Sequence, residues 1–209
     1  MKNSIVISVV LISCAFSAMA HDTLKIKALE KRVAALEAKM AKLDSATAPV
    51  VKQANADQVC EDQKNKARER MRKDLKVYSK DELRAIESLY QVANKNWKTD
   101  KAKGKASLLK MVSKYDKANR TGCALLYIGQ MTQGEERESY LKQAIEGYSD
   151  CFYGDGVQVG AYARYYLAYY YKDAGDKKKA KALFDEIRKD YPNAITHSGK
   201  SLSIGMAKE

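Results

Sequence analysis

Residues 161–192 read AYARYYLAYYYKDAGDKKKAKALFDEIRKDYP, the pattern of two packed helices joined by a tight turn. Small Ala168 and Ala180 allow the two helices to approach closely, and bulky side chains fill the space around that contact. Those bulky residues are Leu167, Tyr171, Phe184 and Ile187. Gly175 ends the first helix, and Pro192 follows the second, where it prevents the helix from continuing. The stretch therefore predicts an antiparallel helical hairpin.

The spacing of these residues resembles a tetratricopeptide repeat. Such a repeat needs large, small, turn and terminal residues at fixed positions of one hairpin. They are Leu167, Ala168, Tyr171, Gly175, Ala180, Phe184, Ile187, Tyr191 and Pro192. The main departure is in the opening turn, where Arg164 stands in place of an aromatic residue. The resemblance implies a scaffold for contacts with other proteins.

A weaker form of the same pattern recurs toward the N-terminus. A shift of 39 residues places Ile128 on Leu167, and several other apolar positions coincide under that shift. Ser79 begins a capping box that opens this region. We predict an all-α fold in which residues 79–209 form a solenoid of about three hairpins, with 193–208 as a C-terminal capping helix.

Residues 22–44 show a heptad repeat. The apolar residues at its core positions alternate at spacings of three and four. They are Ile26, Leu29, Val33, Leu36, Met40 and Leu43. Arg32 and Glu37 lie five residues apart, which brings opposite charges together across a parallel, in-register seam. β-branched core residues favour dimers, but Arg32–Glu37 resembles the trimer signature of short parallel coiled coils, so we predict a parallel homo-oligomer, a trimer preferred over a dimer.

Residues 1–20 have the features of an export signal. An apolar run at 5–12 precedes the small residues Ala18 and Ala20, which mark a cleavage site before His21. The alternative is a lipobox that makes Cys14 the lipidated N-terminus. Cleavage is preferred because the residues after Cys14 stay apolar. We expect a periplasmic or secreted protein, with no transmembrane span after the signal.

Residues 45–78 separate the coiled coil from the hairpins. Small and polar residues with one proline, Pro49, come first, and a highly charged stretch with few apolar residues follows. This composition predicts a flexible linker and then a charged helix at the surface.

The chain is basic, with a formal net charge of +12. The excess is concentrated between Lys95 and Arg120, which contain nine basic and two acidic residues. We interpret this basic patch as a solvated face, and the alternative is a surface that binds anionic lipid headgroups or wall polymers. No aromatic and basic motif typical of nucleic-acid binding occurs, so nucleic acid is not a predicted partner.

Three cysteines follow the signal. In an oxidising compartment they allow one intrachain disulfide at most. Cys123 begins one predicted helix and Cys151 ends its antiparallel partner, so these two form the candidate disulfide. Cys60 is interpreted as a free thiol, with a bond between chains as the alternative.

Catalytic and metal-binding patterns are absent from the sequence. The only histidines are His21 and His197, and no nucleophile with its base, metal-ligand spacing or phosphate loop is present. We therefore predict a protein without enzymatic activity, cofactor or metal.

Six tyrosines lie within residues 160–172. In tetratricopeptide repeats the second, fifth and ninth positions of the first helix face the concave groove, and the preceding hairpin continues that face. The resemblance thus implies a groove that binds a peptide through aromatic rings and hydroxyls. Its residues would be Tyr162, Tyr165, Tyr169, Leu126 and Gln130. The alternative is that neighbouring elements bury these tyrosines.

The order of parts along the whole chain has a resemblance of its own. An export signal, a short coiled coil, a linker and an array ending in Tyr191 and Pro192 resemble the periplasmic proteins associated with the Tol-Pal system. Those proteins coordinate cell division by linking outer-membrane constriction to peptidoglycan synthesis. The resemblance implies a periplasmic scaffold for a protein or peptide, active in cell division or envelope maintenance. With lipid on Cys14, the chain would instead resemble the repeat-containing lipoprotein of the β-barrel assembly machinery.

Overall fold

A computed structural model describes residues 27, 30–40, 42 and 55–206, and every regular element in these parts of the chain is helical. The all-α class is thus confirmed. The chain divides into two units, Met1–Ala54 and Asn55–Glu209. In the first unit, residues 30–40 are helical. The predicted signal at 1–20 lies outside the described residues. So do Cys14, Ile26, Leu29 and Leu43.

The second unit consists of seven α-helices and a short 3₁₀ helix within its described residues. They are α1 (55–74), α2 (Lys80–Asn96), α3 (Lys101–Lys114), α4 (Asn119–Met131), α5 (Gly134–Tyr148), α6 (Val159–Asp173), α7 (Lys177–Asp190) and the 3₁₀ helix Leu202–Gly205. Each of α2 to α6 packs on the helix that follows it, and α4 also packs on α2 and α6. The helices therefore associate in chain order.

Side-chain caps fix where several of these helices begin. Ser79 Oγ accepts a hydrogen bond from the Glu82 N–H, and the Glu82 carboxylate accepts one from the Ser79 N–H, which confirms the predicted capping box. The Asp100 and Asp176 side chains cap α3 and α7 with a single bond each, accepted from the N–H groups of Lys103 and Lys179. Each such cap satisfies a backbone N–H that has no partner within its own helix.

The hairpin predicted from residues 161–192 forms as α6 and α7. Ala168 and Ala180 are fully buried at its centre, beside the buried rings and aliphatic chains of the core. Gly175 has φ +83°, a left-handed conformation that suits glycine and ends α6. The residues within this stretch were therefore sufficient to predict the hairpin.

Helix α1 is more deeply packed than its charged sequence indicated. Ala67 is fully buried, and Gln63 and Asp74 are also buried. Arg70 donates a hydrogen bond to the Lys117 carbonyl, at the connection between α3 and α4. A Cβ added to Gly156 would lie 2.9 Å from the α1 backbone. Helix α1 therefore packs across the connections between hairpins instead of lying free at the surface.

The predicted capping helix at 193–208 is not helical in its first part. An antiparallel bridge between Ile195 and Ser201 closes a turn, which we call the C-terminal turn, residues 193–201. Gly199 reverses the chain there with φ +75°, a conformation incompatible with an α-helix. As far as residue 206, where the description ends, only the 3₁₀ helix follows, and its Leu202 is buried in the core. The predicted capping helix is therefore replaced, in residues 193–201, by this turn.

Candidate functional site

Four tyrosines of α6 form one aromatic cluster, which we call the tyrosine cluster: Tyr162, Tyr165, Tyr166 and Tyr169. The rings of Tyr162 and Tyr165 stack with their centroids 6.0 Å apart. The ring centroids of Tyr165 and Tyr169 are 4.8 Å apart. Tyr166 packs edge-on against both Tyr162 and Tyr165. The structure thus brings together the three tyrosines predicted for the groove, since spacings of three and four share a helix face.

The members of the tyrosine cluster differ in exposure. Tyr162 is only 9% exposed, whereas Tyr166 is 36% exposed and Tyr165 and Tyr169 are half-buried. Tyr169 also packs against the buried ring of Phe184, with centroids 5.4 Å apart. The accessible part of the cluster therefore consists of Tyr165, Tyr166 and Tyr169, and it packs against the core.

The hydroxyls of Tyr162, Tyr165 and Tyr166 are neutral at neutral pH. Burial, together with the hydroxyl of Tyr169, raises the pKa of Tyr165 to about 12. Burial also raises the pKa of Tyr162 and of Tyr166. Each hydroxyl can then both donate and accept a hydrogen bond, and each ring offers an apolar face. The cluster suits a ligand with apolar and polar groups in alternation.

The C-terminal turn covers one end of the cluster. The His197 ring packs edge-on against Tyr162 and against Tyr153, with centroids 5.3 Å and 5.1 Å away. His197 Nδ1 lies 2.6 Å from the Asp155 carboxylate, which fixes the orientation of the imidazole. The C-terminal turn therefore covers Tyr162. For this tyrosine the alternative expectation applies, in which neighbouring elements bury the side chain.

Asp155 and His197 were not singled out for the site from the sequence. Both lie in irregular segments 42 residues apart, so no periodic pattern relates them. A contact between two loops has no local signature.

The pair of Asp155 and His197 should make the stability of the protein depend on pH. Burial alone would raise the pKa of Asp155, but the hydrogen bond and charge of His197 lower it below the ordinary 3.8. A lowered pKa stabilises the fold above the unfolded value, and this contribution is lost as the pH falls through the folded value. We expect wild type to exceed Asp155→Asn in stability above pH 3.8, and the difference to shrink below it, as measured by urea unfolding. A constant difference would contradict the assignment.

Leu126 does not line a groove. Its side chain has no solvent exposure, because α4 packs on α2, α3, α5 and α6. The prediction that Leu126 belongs to the groove is therefore wrong. Gln130, one turn later near the end of α4, is half-buried and reaches the surface.

The three cysteines among the described residues are free thiols. Cys123 Sγ donates to the Phe152 carbonyl, and Cys151 Sγ accepts from Arg70, so each sulfur has a partner other than its predicted one. The disulfide predicted between Cys123 and Cys151 is thus absent from the structure. Burial raises the pKa of both thiols to about 12, which leaves them unreactive. Cys60 is a half-buried thiol.

Comparison of the chain with protein-family models, curated proteins and solved structures finds no match. Among the described residues, no cluster of histidine, cysteine and carboxylate side chains could bind a metal ion. None of the helices described here combines the length and apolarity needed to cross a membrane. The interpretation of the site therefore depends on its geometry.

Proposed function

We propose that this protein is a non-enzymatic scaffold of the cell envelope, periplasmic in location, that binds a protein or peptide through the tyrosine cluster. The observation that supports this most directly is the accessible set of Tyr165, Tyr166 and Tyr169 on one helix face. Aromatic rings with neutral hydroxyls dominate protein-binding surfaces because they bury a large area and lose little side-chain entropy. The cluster is held by packing, so it needs little ordering on binding.

The packing of the helices supports a tetratricopeptide-like array as the frame of this surface. Helices α2 to α7 pack in chain order, and α4 also contacts α2 and α6, as expected when the first helices of successive hairpins form one layer. In such an array the first helices line the concave side. Tyr165 and Tyr169 would then face a groove whose other wall includes Gln130.

A second part of the proposal is that residues 22–44 assemble copies of the chain as a parallel homo-oligomer, a trimer in preference to a dimer. On the helical segment 30–40, Val33, Leu36 and Met40 are 52%, 59% and 65% exposed, which leaves an apolar seam uncovered. Pairing of this seam would bury it, with Arg32 and Glu37 beside it. Sedimentation of the protein at micromolar concentration tests this, and a species of monomer mass alone would contradict it.

The groove assignment predicts a large loss of affinity from a double substitution. Tyr165→Ala with Tyr169→Ala removes two anchors that each contribute about 2 kcal/mol, so partner binding should weaken by about 1,000-fold if the two losses add. Capture of partners from an envelope extract, followed by titration of the dominant one, measures this. Tyr162→Ala is not used because that ring packs in the fold.

Two controls make the double substitution interpretable. Tyr165→Phe with Tyr169→Phe keeps the rings and removes the hydroxyls, so its effect separates stacking from hydrogen bonding. Tyr140→Ala removes a half-buried tyrosine of α5 outside the cluster, and binding should stay within about twofold because no interface contact is lost. Capture that is unchanged in the double alanine variant, with unfolding curves like those of wild type, would reject the groove.

The place of this scaffold in the envelope follows from its N-terminus. Intact mass separates the preferred form, which begins at His21, from the alternative form with lipid on Cys14. The first agrees with a role beside Tol-Pal proteins in cell division or envelope maintenance. The second agrees with a lipoprotein similar to the repeat subunit of the β-barrel assembly machinery.

A further inference from the structure

The turn between α2 and α3, residues 97–100, presents an aromatic side chain to solvent. Trp97 directly follows α2 and is 43% exposed, although tryptophan is among the side chains that gain most from burial. It is also the single tryptophan of the chain. A half-exposed indole at the tip of a hairpin contributes little to the core below it.

Four exposed lysines surround this turn in sequence. Lys95 and Lys98 flank Trp97, and Lys101 and Lys103 follow in the first turn of α3. Within the described chain, none of these four lysines forms an ion pair. Two other basic residues of the stretch 95–120 do: Lys105 pairs with Glu136, and Arg120 pairs with Glu87. The one carboxylate of the turn, Asp100, caps α3, and its single negative charge offsets only one of the four lysines. The tip therefore carries uncompensated positive charge.

The position of the lysines in α3 argues against a role in helix stability. The N-terminus of a helix carries a partial positive charge, which favours acidic residues in the first turn and disfavours basic ones. The first turn of α3 has no acidic residue and contains Lys101 and Lys103. These charges repel the helix dipole as well as one another, so an external anion would relieve an unfavourable arrangement.

We propose that this tip, Trp97 with Lys95, Lys98, Lys101 and Lys103, is a contact site for an anionic lipid surface. Indole rings prefer the headgroup level of a bilayer, where the apolar ring and its N–H are both satisfied. Lysines at the same depth attract lipid phosphates and extend their apolar stems along the surface. The tip lies on a different hairpin from the tyrosine cluster, and the inference does not depend on the proposed function.

Because Trp97 is the only tryptophan, its own fluorescence reports on the contact. The protein, purified in the form that the cell accumulates, is titrated with vesicles of phosphatidylcholine alone or mixed with phosphatidylglycerol. We expect a blue shift of the emission with the anionic vesicles and quenching by lipids brominated on the acyl chain. Vesicles that bind the protein without changing this emission would place the contact elsewhere and overturn the proposal.

A charge variant and a matched control test the lysines. Lys98→Gln, Lys101→Gln and Lys103→Gln together should weaken vesicle binding by about 100-fold, because each lysine near an anionic surface contributes about fivefold. The control removes three exposed lysines of α7, Lys177→Gln, Lys178→Gln and Lys189→Gln, and should stay within about fivefold of wild type.

Three outcomes would reject the lipid surface as the partner. One is no binding to anionic vesicles at low salt, and another is an equal loss in the two triple variants. The third is binding to inorganic polyphosphate without binding to vesicles, which would assign the tip to a soluble phosphate polymer. Binding that weakens steeply with added salt, as screening requires, supports the proposal.

Discussion

Replacing Asp74 with alanine is expected to lower the free energy of unfolding by about 4 kcal/mol, the loss typical when one partner of a buried ion pair is removed. The Asp74 side chain is only 9% exposed and that of its partner Arg70 only 12%. Arg70 Nη1 donates to Asp74 Oδ1 at 2.8 Å, and the Asn119 N–H donates to Asp74 Oδ2 at 2.9 Å. The substitution would leave both donors buried without this acceptor.

Asp74 also substitutes for a missing helix cap. The residue at the N-cap position of α4 is Ala118, which has no side-chain acceptor for the first N–H groups of that helix. The Asp74 carboxylate, which comes from α1, accepts from the N–H of Asn119 and places a negative charge at the positive end of α4. Loss of Asp74 should therefore weaken both the attachment of α1 and the start of α4.

Urea unfolding of Asp74→Ala against a matched variant measures this effect. Glu61→Ala breaks an ion pair with Arg68 on the same helix, but both partners are about half exposed, so the expected loss is below about 1 kcal/mol. Asp74→Asn keeps an acceptor oxygen without the charge and should fall between the two. Similar losses for Asp74→Ala and Glu61→Ala would show that α1 is not held by this network.

The sequence was informative where the signal is local and uninformative where it is long-range. The hairpin of α6 and α7 follows from Ala168, Gly175 and Ala180, each of which acts within one or two turns of chain. Helix α1 packs through a small residue and polar groups, Ala67, Gln63 and Asp74, so its contact face has no apolar period to detect. The bond from Asn119 to Asp74 joins residues 45 apart, a pairing that no spacing rule predicts.

The candidate site shows the same division. The stripe of Tyr162, Tyr165 and Tyr169 could be predicted because helical periodicity alone places these residues on one face. The extension of this stripe to Leu126 was wrong. It assumed the same helical register in two hairpins of different length, and that assumption takes no account of how many helices pack on α4. The cover over Tyr162 by His197 could not be predicted, since it depends on where two loops meet.

The second large effect is expected from adding a single methyl group at Gly122. A Cβ there would lie 2.7 Å from Cys151 Cβ and 2.8 Å from Tyr148 Cβ, distances that real carbon atoms do not tolerate. Neither neighbour can rotate away, because a Cβ atom is fixed by its own backbone. Gly122→Ala should therefore push α4 from the end of α5 and destabilise the protein by about 2 kcal/mol, even though alanine is the better helix former.

Gly147→Ala supplies the opposite expectation from the same chemical change. Gly147 lies in α5, and a Cβ added to it meets no atom within 4 Å. The substitution should stabilise the protein by about 0.5 kcal/mol, because alanine loses less backbone entropy in a helix than glycine does. Urea unfolding of both variants decides the matter. If Gly122→Ala were as stable as Gly147→Ala, the close approach of α4 to the end of α5 would be wrong, and with it the burial of Cys123 and Cys151 at that contact.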